Sequence, residues 1–407
     1  MNDQKSHHPA KTSFTARPLG DIRVLELGDQ VSYAGRLLAL QGAEVTLVEP
    51  PEGFASRGQP PFLDNIPGSD RSLSFHYFNA GKRSVIIDRT KPEGRECLRA
   101  MLLSVDVVLD DRLQLEWQAD GIGYPDLRRE NPGLIWCAVT GYGQSGPHSH
   151  YKSDDFIAMA AGGMMQLAGY GDAGPFAGPG DIAVKSAGAF AAVAVMLALH
   201  GRDASGKGQF IDISMQEVVA LGTETAPQFF DIKGTVRRRL TRPQRQAGIG
   251  YYPCADGYVM LYAAEAGVGT GWTRLTDWLV EAKTPSAEQL QSEDWLTNSY
   301  KARPESIELF AKIFGSFSKT QTKQSLFIEG QRRRIAITPV NNGADVCNDP
   351  HVKAVGAILA VSACGARPIK GPNVPVMMSA TPFEVRSDAP ALGESIDRPA
   401  YAERLPA

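Results

Sequence analysis

Ile22-Arg23-Val24-Leu25-Glu26-Leu27 is an apolar run that stops at Gly28, Tyr33 to Gln41 carries Leu37, Leu38 and Leu40 at helical spacing, and Glu44-Val45-Thr46-Leu47-Val48 is a second apolar run closed by Glu49. Two short aliphatic runs flanking a stretch of 3.6-residue period predict strand, helix, strand. An acidic residue ends the second strand about 20 residues after the first turn, as in one half of a dinucleotide-binding fold. The turn itself reads Gly28-Asp29-Gln30-Val31-Ser32 and lacks the G-x-G-x-x-G that cradles a pyrophosphate. That absence removes the motif basis for NAD.

The alternation continues downstream. Pro50 to Arg71, rich in Pro, Gly and polar residues, reads as a long surface loop. Phe78-Asn79-Ala80-Gly81-Lys82-Arg83 leads into a strand at Ser84–Asp88 and offers two cations beside free backbone N–H groups. Such a turn can hold a phosphate; read alone it is equally a solvated basic turn. A helix at Pro92–Leu103, a strand at Val105–Leu109, a helix at Tyr124–Glu130 and a strand at Leu134–Thr140 follow. Strands alternating with helices predict an α/β fold with a mostly parallel sheet covered on both faces. Gly141-Tyr142-Gly143-Gln144-Ser145-Gly146-Pro147 leaves the last of these strands where open α/β sheets carry ligand loops.

Gly178-Pro179-Gly180-Asp181 stops the chain again, and Ile182 to Arg202 is a long run of helix formers with few charges. Asp181 is therefore expected at a helix N-terminus, facing unpaired N–H groups and the positive end of the helix dipole. A plain N-cap there is worth ~1 kcal/mol. The glycine-rich turn Gly201 to Gln209 precedes a strand at Phe210–Ser214, the reverse of the strand-to-helix order that a P-loop requires. Beyond a helical pattern at Gln216–Ile232, the arginines 237–239, 242 and 245 mark a basic linker ahead of Ala247 to Pro253. A strand at Tyr258–Ala263 and helices near Trp272–Glu281, Glu305–Phe314 and Lys323–Glu329 predict a second, α+β unit. The expected division is a disordered tail at 1–18, a large domain at 19–225, a linker at 226–246, a small domain at 247–335, and a segment at 336–407 that returns to the large domain.

At 407 residues the chain exceeds the ~250–300 at which single cores stop growing, so two domains are expected. A net charge of −3 argues against nucleic acid as a partner. The five cysteines are scattered without C-x-x-C spacing, and the seven histidines show no ligand spacing. That usage speaks for a reducing cytoplasm and against metal sites or a disulfide framework. The polar start of the chain has no apolar core of a signal peptide. The longest apolar run, Ala187 to Leu199, is expected to be too short to span a membrane.

The ordered set of motifs, from the βαβ opening through Asn79-x-Gly81-Lys82-Arg83-Ser84, Gly141–Pro147 and Gly180-Asp181 to Arg202-x-x-x-Gly206-Lys207-Gly208-Gln209, resembles the class III CoA-transferases, the CaiB/BaiF family that includes the α-methylacyl-CoA racemases. Pro253-Cys254-x-Asp256-Gly257 and Leu392-Gly393-Glu394 extend the resemblance over about Leu19 to Gly393. It implies a Rossmann-like large domain, a small domain, and dimers whose two ring-like chains interlock. It also implies that Asp181 is a nucleophile attacking the thioester carbonyl of an acyl-CoA, with CoA a substrate and no permanently bound cofactor.

The same resemblance places Val31, Ser32, Asn79, Lys82 and Thr140, Gly141, Tyr142 and Gly143 on CoA-contacting segments. Pro50 stands where an arginine often follows the second strand, and Asp111-Arg112-Leu113-Gln114-Leu115 replaces the usual Asn-Phe-x-Pro-Gly. Lys82, Arg83 and Arg112 are then the expected phosphate contacts. Gly248, Gly250 and Tyr251 fall near the acceptor site. Glycines at Gly141–Gly143 or Gly248–Gly250 can donate N–H groups to a developing oxyanion. Two alternatives stay open: an acyl-CoA racemase or epimerase, whose partner histidine has no counterpart where this chain reads Ser153-Asp154-Asp155, and a subunit of a heteromeric transferase. Expected partners are an acyl-CoA, a free carboxylic acid and a second copy of the chain.

Overall fold

A computed structural model describes residues 17–223, 225–239, 243–263, 271–362 and 368–394. The expected tail falls on residues 1–16, outside the described residues. Six strands, β1 (Arg23–Glu26), β2 (Glu44–Glu49), β3 (Arg83–Ile86), β4 (Val107–Asp110), β5 (Ile135–Thr140) and β6 (Phe210–Ser214), pair in parallel in the order β3-β2-β1-β4-β5-β6. This is the strand order of dinucleotide-binding folds, with its topological switch point between β1 and β4.

The side-chain period of 2 sends alternate residues to opposite faces. Val24, Val107, Leu109, Ile135, Cys137 and Val139 pack on one side with Ala34 and Leu38 of α1 (Ser32–Leu40). Leu25, Val108, Leu134, Trp136 and Ala138 pack on the other. That second face is closed by α3 (Pro92–Leu103), α4 (Gln114–Ala119) and α5 (Tyr124–Glu130), while α2 (Leu73–Asn79) precedes β3.

Glycine breaks the helical stretch at 155–167 and the expected helix at Gln216–Ile232. Gly162-Gly163, the second at φ +88°, separates α6 (Asp155–Ala161) from α7 (Met164–Leu167). Downstream, α8 (Ile182–Ser205) leads to β6, and Gly222 ends α9 (Met215–Leu221) before α10 (Thr225–Lys233), which occupies the start of the expected linker. By length and composition α8 is apolar enough to cross a membrane, unlike the shorter run counted from the sequence. It lies against the sheet instead, with Ala183, Ala187, Ala191 and Val195 in the core. A Cβ on Gly188 would sit 3.1 Å from Tyr33 Cβ, so the glycine is what lets α8 lie close to α1.

The smaller unit comprises residues 166–176 and 236–352. Its antiparallel sheet has the order β10-β9-β8-β7, built from β7 (Gln244–Gln246), β8 (Ile249–Cys254), β9 (Gly257–Tyr262) and β10 (Ala336–Pro339). Because β10 pairs with β9, this unit runs past the expected boundary at 335. Its helices are α11 (Gly271–Glu281), α12 (Asn298–Lys301), α13 (Pro304–Ser318) and α14 (Lys323–Arg332). Trp272 stacks on Trp295 at 5.2 Å in a core shared with Tyr252, Phe310 and Phe314. Asp256 of the Pro-Cys-x-Asp-Gly hairpin accepts a hydrogen bond from Lys323 N (2.7 Å), tying the hairpin to the start of α14.

From Lys353 the chain rejoins the larger unit. The hairpin of β11 (Ile358–Val361) and β12 (Ile369–Pro372) takes a hydrogen bond from Tyr77 Oη to Pro372 O (2.6 Å). Ser387 O accepts from Gly81 N and Gly393 N donates to Ser84 Oγ.

Candidate active site

The last residue before α8 is Asp181, and Gly180 at φ +75° makes the turn into it. Its carboxylate makes no capping bond to the helix. It lies 3.8 Å from Lys185 Nζ and is two-thirds exposed, so the plain capping role does not apply. Asp181 and Lys185 form one wall of a cleft of about 620 Å³ whose other lining residues include Asp29, Gln30, Ser32, Tyr33, Asn79 and Asp155. Asp155 Oδ1 accepts from Val184 N (3.0 Å) and so fixes α6 to the first turn of α8. Burial, reinforced by the nearby charge of Asp181, pushes the Asp155 carboxyl up. Asp154, in the stretch where a racemase would carry its histidine, caps α6 by accepting from Ile157 N.

The first turn holds Ser32 at the cleft, but Val31 is fully buried in the core and does not line it. Asp29 is held by the hydroxyl and N–H of Ser56, and burial raises its carboxyl above the usual range. Asn79 lines the cleft, with Oδ1 accepting from Lys82 Nζ (2.8 Å).

Lys82 itself corrects the sequence expectation. Its ammonium is sealed from solvent and donates to Glu26 Oε2 (2.7 Å), Ser32 O (2.9 Å) and Asn79 Oδ1 (2.8 Å). All three of its donors are used, leaving none for a phosphate. A Cβ on Gly35 would lie 1.8 Å from Glu26 Oε2, so that glycine makes room for the pair. Arg83 is ion-paired with Glu44, the first residue of β2, at the edge away from the C-terminal ends of the strands. Glu49, which in a dinucleotide fold would face a ribose, is buried and held by Arg57 Nε and Nη2 (2.7 Å each) and by Ser84. Burial alone would raise its carboxyl, but these bonds outweigh it and hold Glu49 below the usual carboxylate range. The loop after β2 is thereby ordered around Arg57, which also reaches Asp70 and Pro390 O and covers the Phe75 ring.

A second cavity, about 470 Å³, opens at the C-terminal ends of β1 to β4 between Leu27, Val48, Ile87 and Trp117. Arg112 and Arg89 both lie 5.0 Å from the Trp117 ring and line this cavity. Neither has a carboxylate within ion-pair distance among the described residues. Burial, and then the charge of Arg112, lowers the Arg89 guanidinium pKa. Beneath them Trp117 Nε1 donates to Asp110 Oδ2 (2.5 Å), and burial pushes the Asp110 carboxyl up to about 8. With no ion-pair partner at contact distance among the described residues, both guanidinium groups have donors free for a phosphate. The sequence reading named Arg112 and missed Arg89. Its signal was a basic residue just past the third strand.

Thr140, Gly141, Tyr142 and Gly143 leave β5 as expected but line neither cavity. Gly143 (φ +82°) makes the turn, Gln144 ties it to Arg112 O and Gln114 N, and Tyr142 packs on His148 and Tyr151. Gly248, Gly250 and Tyr251 lie in the smaller unit. A Cβ on Gly250 would meet Pro243 O at 2.5 Å, so this glycine serves the β7–β8 contact, and Tyr251 is half-exposed. In the basic segment, Arg239 is bound to carbonyls of Gln166, Tyr170 and Ala173 rather than free for a ligand. Among the described residues no cluster of His, Cys, Asp or Glu is arranged to hold a metal.

Comparison with known proteins identifies the family. A sequence profile of CoA-transferase family III matches residues 19–395. The chain is 31% identical over 332 residues to the succinyl-CoA:(R)-benzylsuccinate CoA-transferase subunit BbsE of Thauera aromatica, covering 81% of this chain and 80% of that one. It is 30% identical to the succinate–glutarate CoA-transferase of Agrobacterium fabrum, covering 93% of each. A crystal structure of a CaiB/BaiF family protein from Brucella suis superposes with a TM-score of 0.80 at 27% identity, covering 93% of this chain and 97% of that one.

Proposed function

Because the chain belongs to CoA-transferase family III, an enzyme family, we propose that it moves CoA from an acyl-CoA donor to a free carboxylic acid through covalent intermediates on Asp181. The observation that carries this reading is the Asp181 carboxylate: a residue at a helix start that neither caps the helix nor is buried, and that opens on the large cleft. Helix N-terminal N–H groups favour a negative charge at this point.

The steps balance as follows. The Asp181 carboxylate attacks the thioester carbonyl, the C–S bond breaks, and an acyl–aspartyl anhydride and CoA thiolate form. The thiolate attacks the aspartyl carbonyl of the anhydride and releases the donor acid, leaving an aspartyl-CoA thioester. The acceptor carboxylate attacks that thioester and expels the thiolate, giving a new anhydride. Thiolate attack on its acceptor-derived carbonyl forms the product acyl-CoA and restores Asp181. Trading one thioester for another needs no outside energy source, only a nucleophile of matching leaving-group chemistry.

We assign the nucleotide end of CoA to the Arg89–Trp117–Arg112 cavity, with Ser32 and Asn79 flanking the thioester end. Ser32 and Asn79 face the same cleft as Asp181. The roles given to Thr140–Gly143, Gly248, Gly250 and Tyr251 remain proposals for the complex. Relatives carry succinyl-CoA in their names, which makes it the first donor to test. Phe190, Val193, Met196 and Leu197 form an exposed apolar stripe on α8, a surface suited to a second chain. We take the partner to be a second copy in an interlocked dimer, with a related subunit as the alternative. The four described cysteines are free thiols, in keeping with a cytoplasmic location. The direct test is incubation with succinyl-CoA and a panel of free acids, with CoA esters read by mass. Hydrolysis alone, without a new CoA ester from any acid, rejects the transferase reading.

A further inference from the structure

Among the described residues, Lys185 contributes the single cationic side chain to the lining of the cleft that holds Asp181. The other three carboxylates of that lining are engaged: Asp29 by the hydroxyl and N–H of Ser56, Asp154 by Ile157 N and Asp155 by Val184 N. Lys185 stands one helical turn beyond Asp181, on the same face of α8. Its ammonium is 3.8 Å from Asp181 Oδ2, beyond the roughly 2.7–3.2 Å of a hydrogen bond, and 5.6 Å from the centre of the Phe78 ring. Among the described residues, Asp181 is its one ion-pair partner. An ammonium carries three donors, so this one keeps them for a group that enters the cleft, whereas buried Lys82 spends all of its own. The pair with Asp181 is exposed and adds little to stability.

Asp181 loses its charge and regains it along the transfer steps. As a free carboxylate it balances Lys185, but as an anhydride or a CoA thioester it carries no charge. At that stage a free acid leaves or enters with a negative charge of its own, in a cleft that also holds Asp29, Asp154 and Asp155. We infer that Lys185 binds the reacting carboxylate of the free acid while Asp181 is acylated, so that the ammonium pairs in turn with the carboxylate of the enzyme and with that of the substrate. The inference rests on the transferase reading and assigns a further residue to the same site. When the thiolate attacks the aspartyl carbonyl of the first anhydride, the donor acid departs against Lys185. The acceptor carboxylate then takes its place, and one of its oxygens attacks the aspartyl carbonyl carbon of the thioester. The C–S bond breaks and the electron pair leaves on sulfur. No proton moves in either step, so Lys185 stays an ammonium throughout. A cation fixed one turn from the nucleophile both attracts the acid and orients it for attack.

The test uses the full-length protein, succinyl-CoA and two nucleophiles of different charge. Isotope-labelled succinate, an anion, exchanges into succinyl-CoA. Hydroxylamine, uncharged at neutral pH, traps the acylated Asp181. Lys185→Met keeps most of the apolar stem and removes the charge. It is expected to lower kcat/KM for succinate exchange about tenfold or more, the scale of one charge-assisted hydrogen bond, and to leave the rate of hydroxylamine inactivation near that of wild type. A loss shared by exchange and trapping overturns the proposal, since a lysine that held the far end of the succinyl group, or served the fold, would slow both. A second measurement needs no turnover. Asp181→Asn reproduces the uncharged aspartyl group, and calorimetric titration with succinate is expected to show binding about tenfold tighter than to wild type. Adding Lys185→Met to that variant is expected to abolish the gain. A gain that survives in the double variant, or no gain at all, overturns the proposal. Absence of both trapping and exchange in the wild type overturns the transferase reading instead, and the titration then judges Lys185 alone.

Discussion

Lys82 Nζ lies 2.7 Å from Glu26 Oε2, with both side chains shut off from solvent beneath the first turn of α1. A lysine that a sequence places in a phosphate-binding turn is here an internal strut linking β1, α1 and the turn before β3. Removing one partner of such a pair strands a buried charge, at a cost of about 3–5 kcal/mol. Lys82→Ala is therefore expected to lower the urea midpoint strongly, and Lys82→Met with Glu26→Leu to recover much of it. Salt dependence of CoA binding should be unchanged in whatever fraction folds. A wild-type midpoint with a flattened salt dependence would return Lys82 to the phosphate.

Asp181→Ala should leave the fold intact, since the side chain is exposed and caps nothing. CoA exchange should fall to about a hundredth of wild type or below, because loss of the nucleophile removes the covalent route. In the wild type, acyl-CoA with hydroxylamine should inactivate the enzyme and leave a hydroxamate on Asp181. Peptide mapping that finds the label on Asp155 or Asp29 would move the nucleophile.

Arg89 and Arg112 share one face-on partner, Trp117, and both line the cavity at the ends of β1 to β4. Either arginine replaced by alanine is expected to weaken CoA binding by about tenfold at low salt and less at high salt, as a phosphate contact is screened. Arg89→Lys should recover little, because an ammonium neither stacks flat on the indole nor binds a phosphate in bidentate fashion. Calorimetric titration with CoA checks this, and an effect equal at both salts would point to packing instead.

Asp110 is buried against Trp117 with its acidity pushed to about 8. The unfolded chain releases this proton near ~4. Between those values the folded state holds a proton that the unfolded state has lost, so this group's contribution to stability is full below ~4 and falls as pH rises toward 8. Asp110→Asn removes that slope. The variant should gain stability relative to wild type between pH 5 and pH 8, measured as denaturant midpoints. Midpoints that run parallel with pH would show that Asp110 is ionised throughout.

Much of this was legible along the chain. The apolar runs Ile22–Leu27 and Glu44–Val48 and the 3.6-residue period of Tyr33 to Gln41 are local properties, so the alternation and the parallel sheet follow from residues a few positions apart. Gly180 before an Ala-rich run likewise places Asp181 at a helix start from neighbours alone. The boundary of the smaller unit was not local, since β10 is assigned by its pairing with β9, more than seventy residues earlier. The fate of each charge was not local either. Lys82 met a carboxylate 56 positions away and Arg57 ordered a loop through Glu49, whereas Arg89 and Arg112 came together over one indole without an ion-pair partner among the described residues. A residue's type limits what it can bond to, but burial and the nearest partner decide whether its charge remains available, and both are set by strand order and helix packing rather than by neighbours in the chain.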